Sequence, residues 1–177
     1  QIITNNQVLN VWLLVINNDM DRLWAPWRIG YISNSKKTKG CLFCGVSQKK
    51  TDKKNLVIYR SRHVFSILNK FPYNNGHLMI CPYRHIKDPG QLNADEILDL
   101  FAVLNKMRLL LKRALAPDGF NIGMNIGRVS GAGIPNHLHL HIVPRWKEDN
   151  NFMPALFSTK VISQSLEELY DNLRERI

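Results

Sequence analysis

The clearest hydrophobic pattern in the chain is helical and lies in its second half. Apolar residues recur every three to four positions between about 94 and 115, which predicts an amphipathic helix with one buried stripe. Asn93 is a favourable N-cap for this helix, and Glu96 completes a variant of the capping box. The turn residues at 117–119 end it. The predicted stripe consists of Ile97, Leu100, Phe101, Leu104, Met107, Leu111 and Leu115.

Short runs rich in β-branched and aromatic residues predict strands on both sides of this helix. A second helix is expected at the C-terminus, where Leu166, Leu169 and Leu173 recur at helical spacing. Several strands around one long helix, without regular β-α alternation, indicate an α+β fold. The predicted strands cover 56–59, 63–68, 77–81, 120–126 and 137–143, the last closed by Pro144, and the C-terminal helix covers about 164–176.

The length of 177 residues suits one compact domain. Residues 1–19 are rich in asparagine and precede Met20, so we interpret them as a disordered or non-native extension, and 20–177 as a single domain. No apolar run approaches the roughly 18 residues that span a bilayer, so no membrane association is expected. Without an export signal, and with three cysteines, the expected compartment is the cytoplasm.

The net charge of +10 favours anionic partners such as nucleotides, polyphosphates or nucleic acid. Much of the charge comes from two lysine clusters, at 36–39 and 49–54, which are typical of solvated loops. A nucleic-acid-binding module built on these lysines needs aromatic residues between them. Only Phe43 lies there, so a nucleic-acid partner is not expected.

Three histidines, His137, His139 and His141, alternate with apolar residues on the last predicted strand. Alternate side chains of a strand share a face, so the three imidazoles would point the same way, about 6.6 Å apart per step. One interpretation is a site for nucleophilic catalysis. The other is a metal-dependent hydrolase in which the three imidazoles bind a catalytic ion. The side chains on the opposite face are Leu138, Leu140 and Ile142.

The segment GAGIPNHLHLHIVPRW at 131–146 resembles the signature of the histidine triad (HIT) family. The sequences LWAPWR at 23–28 and NFMP at 151–154 are similar to the bacterial branch that contains diadenosine tetraphosphate phosphorylases. The resemblance runs from about residue 20 to the C-terminus. It implies an antiparallel sheet of about five strands with one long helix and a C-terminal helix, a homodimer, and a nucleotidyl hydrolase or transferase acting on adenine dinucleotide polyphosphates.

The resemblance also implies a covalent mechanism. His139 would attack the α-phosphorus and form a nucleotidyl-histidine intermediate, and His141 would assist it, with His137 as the third catalytic member. Water would complete the turnover of a hydrolase, and phosphate that of a phosphorylase. The residues leave this choice open.

Substrate contacts are implied at matching positions. Asn69 would hold the ribose hydroxyls, His77 would support the site, and Asn125 would contact phosphate. Several relatives have Ser or Thr where this chain has Ile134, so we expect backbone N–H groups of the preceding glycine turn to bind phosphate instead. These belong to Gly131, Ala132 and Gly133.

Cys41 and Cys44 form a Cys-x-x-Cys pair, which in a reducing compartment is more often a metal or redox site than a disulfide. Zinc needs two further ligands, and the resemblance implies His85 and His137. The zinc would be structural. Cys81 has no place in this set and is expected to be a buried thiol. No organic cofactor is expected.

Overall fold

A computed structural model describes residues 40–147, 149 and 161–177. The predicted extension at 1–19 lies outside these residues, as do the first lysine cluster and the sequences at 23–28 and 151–154 that carry part of the resemblance.

The described residues form one five-stranded sheet in the order β1-β2-β3-β5-β4, and every neighbouring pair is antiparallel. The predicted α+β fold with about five strands is confirmed. Predicted and observed strand ends differ by one to three residues. The strands are β1 Val57–Arg60, β2 Val64–Leu68, β3 Leu78–Pro82, β4 Gly119–Met124 and β5 Leu140–Arg145.

The long helix and the C-terminal helix occur where the hydrophobic pattern predicts them. Two short helices at the start of the described chain were not predicted, because six and four residues are too few for a helical period. Within the described residues, no helix is long and apolar enough to cross a membrane. The helices are α1 Leu42–Ser47, α2 Asp52–Asn55, α3 Ala94–Leu115 and α4 Leu166–Glu175, with a 3-10 turn at Pro89–Gln91.

The start of α3 is fixed by the predicted capping box. The Asn93 side chain accepts from the Glu96 N–H, and the Glu96 carboxylate accepts from the Asn93 N–H, both at 2.9 Å. Glu96 is buried and also accepts from Arg84 at 2.6 Å. The hydrogen bond from Arg84 is the main cause that lowers the pKa of Glu96 to about 2. Because Arg84 precedes His85, this ion pair anchors the loop that carries His85.

The buried face of α3 differs from the predicted stripe. Ile97 is 41% exposed and Phe101 is 62% exposed, so their assignment to the core was wrong. Val103 and Leu110 are buried instead. The sheet covers a face of the helix that is rotated away from Ile97 and Phe101, which leaves an exposed apolar surface near the start of α3. The buried apolar residues of α3 are Leu100, Val103, Met107, Leu110 and Leu111.

The last strand begins later and ends later than the prediction of 137–143. It starts at Leu140 and continues through Pro144. Pairing with β3 ends at Ile142, so the missing N–H of Pro144 breaks no ladder bond on that side. The Leu138 N–H donates to the Ile86 carbonyl at 2.6 Å, outside the sheet. His137 and His139 therefore lie just before β5.

Candidate active site

A cavity of about 660 Å³ lies between α1, the end of β2 and the start of β5. One wall is apolar and comes from α1, through Leu42, Phe43 and Val46. The opposite end is formed by His139 and His141. An apolar cleft with a few convergent polar groups is the usual form of a small-molecule site.

His139 is 5% exposed and lies at the end of this cavity. Its Nδ1 is 2.8 Å from the carbonyl oxygen of His137. A carbonyl only accepts, so Nδ1 carries the proton and Nε2 of the neutral ring keeps its lone pair. Burial lowers the pKa of His139 below its ordinary value, although the hydrogen bond to the His137 carbonyl acts in the opposite direction. The ring therefore presents an unprotonated nitrogen near neutral pH.

The neighbouring His141 has the opposite tautomer. The Tyr73 N–H donates to Nδ1 of His77 at 3.1 Å, so the other nitrogen of His77, Nε2, is protonated. That Nε2–H donates to Nδ1 of His141 at 2.9 Å. A neutral His141 must then carry its proton on Nε2. The ring centroids of His139 and His141 are 4.7 Å apart, so a nitrogen lone pair and an N–H donor lie side by side.

His77 is buried and acts from beneath the cavity. Burial is the main cause that lowers its pKa to about 3, followed by the nearby His141 and His139. The Tyr73 ring stacks on His77 with centroids 4.8 Å apart. His77 therefore stays neutral at neutral pH, which keeps it a one-way donor to His141.

Asn69 lies beside this chain of histidines and lines the cavity. Its Oδ1 accepts from the Phe71 N–H at 2.9 Å, and its Nδ2 is 3.3 Å from Nδ1 of His77. These contacts fix which way the amide points.

The glycine turn contributes less than expected. Asn125 and Gly133 line the cavity, whereas Gly131 and Ala132 do not. Gly131 has a positive φ of 84°, and its N–H donates to the Arg128 carbonyl at 3.3 Å. That N–H is therefore engaged within the turn itself.

Four side chains meet on the other side of Phe43 and could hold a metal ion. The donor atoms of Cys41, Cys44, His85 and His137 all lie within 4.8 Å of one another. His137 Nδ1 is 3.2 Å from the Cys41 sulfur and 3.6 Å from the Cys44 sulfur, and His85 Nδ1 is 3.3 Å from the Cys44 sulfur. Tetrahedral zinc with bonds of about 2.3 Å to sulfur and 2.0–2.1 Å to nitrogen gives sulfur–nitrogen edges of about 3.6 Å. The donor set and its spacing fit such an ion.

The electrostatics of this cluster also suit a cation. Burial and the neighbouring Cys41 raise the pKa of the Cys44 thiol. A divalent ion reverses this effect, since a coordinating thiol loses its proton. Nε2 of His137 donates to the Pro82 carbonyl at 2.9 Å, which leaves Nδ1 unprotonated and facing the sulfurs. Such a second hydrogen bond is usual for metal-binding histidines.

Comparison with known proteins assigns the family. The HIT domain family matches residues 50–148, more than half of the chain. This chain belongs to the histidine triad family. An AP-4-A phosphorylase of Mycobacterium tuberculosis strain H37Rv is 36% identical over 159 residues, covering 85% of this chain and 81% of that protein. An asymmetrical bis(5'-nucleosyl)-tetraphosphatase of Schizosaccharomyces pombe is 31% identical over 93 residues, covering 52% of this chain and 50% of that protein.

Solved structures show the same fold. A hypothetical histidine triad nucleotide-binding protein of Sulfolobus tokodaii strain 7 has a TM-score of 0.63 at 28% identity, covering 77% of this chain and 91% of that chain. A Zn-bound histidine triad family protein of Mycobacterium smegmatis has a TM-score of 0.61 at 24% identity, covering 77% of this chain and 92% of that chain. The prediction of the family from the triad motif is confirmed.

The histidine triad divides between two sites in this chain. His139 and His141 line the cavity, but the His137 ring is 1% exposed and faces the cysteines. The expectation that three imidazoles share one open face was wrong, because residues 137–139 precede β5 and are not bound by its alternation.

Sequence reasoning missed two aromatic residues of the site. Phe43 is fully buried, with its ring centroid 5.3 Å from that of His137 and 5.2 Å from that of His139. Tyr73 covers His77, as described above. The position of Phe43 between the two cysteines was the available signal, but its direction depends on α1, which has no readable period.

Proposed function

We propose that this histidine triad protein cleaves the α-phosphate linkage of dinucleoside polyphosphates through a covalent nucleotidyl-histidine on His139. The observation that carries the proposal is the pair of opposite tautomers on His139 and His141, each set by a named neighbour. The names of the relatives in the phosphorylase and tetraphosphatase classes support the same reaction and an adenosine polyphosphate substrate.

In this mechanism the lone pair on Nε2 of His139 forms a bond to the α-phosphorus. The bond from phosphorus to the bridging oxygen breaks, and the polyphosphate leaves with the electron pair. The cationic ring that results keeps its Nδ1–H on the His137 carbonyl. His141 offers Nε2–H to the phosphate oxygens, where charge accumulates. An oxygen of water or phosphate then attacks phosphorus, and the electron pair returns to His139.

The cavity fits the rest of a nucleotide. A planar base is expected against the apolar wall formed by α1, and Asn69 is expected at the ribose hydroxyls. Lys54 and Lys70 also line the cavity and bring positive charge to it. These contacts would orient the α-phosphorus toward His139, which is the larger part of catalysis in phosphoryl transfer.

The alternative of a hydrolase with a metal on all three triad histidines has less support. In the part of the chain that the structure describes, the one group of donor atoms close enough for an ion takes His137 but neither His139 nor His141. A nucleic-acid-binding role is also disfavoured. Of the second lysine cluster, Lys53 is paired with Asp171 at 2.8 Å and Lys54 lines the cavity.

We expect diadenosine tetraphosphate and inorganic phosphate to give ADP and ATP, because the phosphorylase relative matches most of the chain. Product identification by chromatography, with and without phosphate, tests this. AMP and ATP without phosphate would mean asymmetric hydrolysis. With substrate labelled at the α-phosphate, label should appear on the peptide containing His139, in an acid-labile and base-stable bond. Rapid sampling that finds product but no labelled protein through the first turnover would reject the covalent mechanism.

We also infer that the ion held by Cys41, Cys44, His85 and His137 is zinc and that its role is structural. Two thiolates and two imidazoles in a closed tetrahedral set are typical of structural zinc. Zinc there would hold α1 against the start of β5. The thiols must remain reduced, as they do in the cytoplasm, which is the compartment we propose.

We further propose a homodimer that uses the exposed apolar surface of α3 and the edge strand β4. Leu98 and Phe101 on α3 are 70% and 62% exposed. Ile122 is 45% exposed and alternates with Phe120 and Met124, so it lies on the sheet face that α3 covers. Apolar patches and open strand edges of this kind usually mark interfaces.

Phe101→Asp is therefore expected to shift the protein from dimer to monomer, because it buries a charge at the proposed interface. Sedimentation velocity over a concentration series measures the change. Ile177→Asp also adds a charge at an exposed apolar position, away from α3 and β4, and should leave the dimer intact. A wild-type chain that sediments as a monomer at all concentrations contradicts the proposal.

A further inference from the structure

His137 joins two groups that are otherwise separate. Its side chain presents Nδ1 to Cys41 and Cys44, at 3.2 and 3.6 Å. Its main-chain carbonyl accepts the Nδ1–H of His139 at 2.8 Å. The same residue therefore belongs to the metal cluster through its ring and to the nucleophile through its backbone.

The conformation of His137 is tightly constrained. The ring is 1% exposed, and its Nε2–H donates to the Pro82 carbonyl at 2.9 Å. The following residue, Leu138, is held by the Ile86 carbonyl at 2.6 Å. A ring fixed at both nitrogens leaves little freedom for the peptide group attached to it. A change in the position of the ring must therefore move the carbonyl that sets the tautomer of His139.

A second contact connects the same two groups. Phe43 lies between Cys41 and Cys44 in the chain, and its ring packs against the rings of both His137 and His139. The other end of α1 is held independently, because the Arg60 guanidinium donates to the Ser47 and Lys49 carbonyls at 3.0 and 2.8 Å. The metal cluster is thus the group that fixes the end of α1 nearest to the nucleophile.

We propose that His137 is a positioning residue that couples occupancy of the metal site to the orientation of the His139 nucleophile. It does not line the cavity, so it does not act on the substrate itself. This inference rests on the proposed function of His139. It goes beyond a structural role for the metal, because a cluster that only attached the N-terminal segment to the sheet would be indifferent to the His139 side chain.

Coupling between two sites is reciprocal. If the metal orders His137 and thereby His139, then the hydrogen bond from His139 must help to order His137 for the metal. Each interaction reduces the conformational entropy that the other has to overcome. The affinity for zinc should therefore depend on whether residue 139 can donate to the His137 carbonyl. This dependence requires neither substrate nor turnover.

The test is the zinc affinity of four folded proteins, measured by competition with a chromophoric chelator. His139→Ala removes the donor and should weaken zinc binding by about 3- to 10-fold, the range that one neutral hydrogen bond supplies. His139→Asn should restore the affinity, because the amide N–H can replace Nδ1–H while the nucleophile remains absent. His141→Ala removes a neighbouring ring that does not touch His137 and should bind zinc as the wild type does.

Equal zinc affinity in all four proteins would overturn the coupling. So would an equal loss in His139→Ala and His141→Ala, since that indicates general loosening of the site, and so would a failure of His139→Asn to restore the affinity. The proposed function is tested separately by the labelled substrate. A wild-type protein that takes no label would reject the covalent mechanism and leave the zinc measurements to decide the coupling.

Discussion

His139→Ala is expected to lower the turnover of diadenosine tetraphosphate by about 10⁴-fold or more, because it removes the atom that bonds to phosphorus. No other imidazole can replace it. His141 directs a proton into the site, and His77 is buried and donates to His141. Turnover is measured by chromatography of the products. The same variant should take no label from α-labelled substrate.

Two comparisons make this result specific. His141→Ala should lose about 10²–10⁴-fold, the scale of an assisting acid–base group, and should still accept label. His63→Ala removes a histidine on the β1–β2 side of the molecule, outside the cavity, and should retain wild-type turnover. Turnover of His139→Ala within tenfold of the wild type is incompatible with a covalent mechanism at this residue.

Much of the fold could be predicted from the sequence because its strongest signals are periodic. The helix at 94–115 has more than five turns, and its bounds agree with α3. The apolar face was harder, because period alone does not say which edge of a broad stripe the sheet covers. Ile97 and Phe101 lie at the exposed edge of that stripe.

The candidate site was predictable as a set of residues but not as a set of roles. The spacing of the triad placed His139 beside His141, and the cysteine pair lies with His85 and His137 as the resemblance implied. The separation of His137 from the other two histidines depends on where β5 begins, and strand ends are the least predictable part of a fold.

The tautomers depend on contacts that no local pattern records. They arise from the His137 carbonyl and from the backbone N–H of Tyr73, which reaches His77 across a turn. Main-chain groups have no identity in the sequence, so their direction is known only once the chain is folded. The assignment of a nucleophile and a donor within one motif therefore required the structure.

Removal of the metal is expected to have the largest effect on stability. Wild-type protein purified without chelators should carry about one zinc per chain, and Cys41→Ser with Cys44→Ser should carry none. The variant should melt at a Tm lower by about 10 °C or more, since binding to a structural site contributes directly to folding. Metal content is measured by plasma emission spectrometry and Tm by calorimetry.

The third cysteine provides the matched control. Cys81 is fully buried, and its sulfur is outside the group of donor atoms. Cys81→Ala should cost some packing energy but keep its zinc, and its Tm should still fall further when a strong chelator is added. The double variant, having no metal to lose, should be insensitive to the chelator. A wild-type protein that contains no zinc, or whose Tm a chelator leaves unchanged, would show that these four side chains hold α1 in place without an ion.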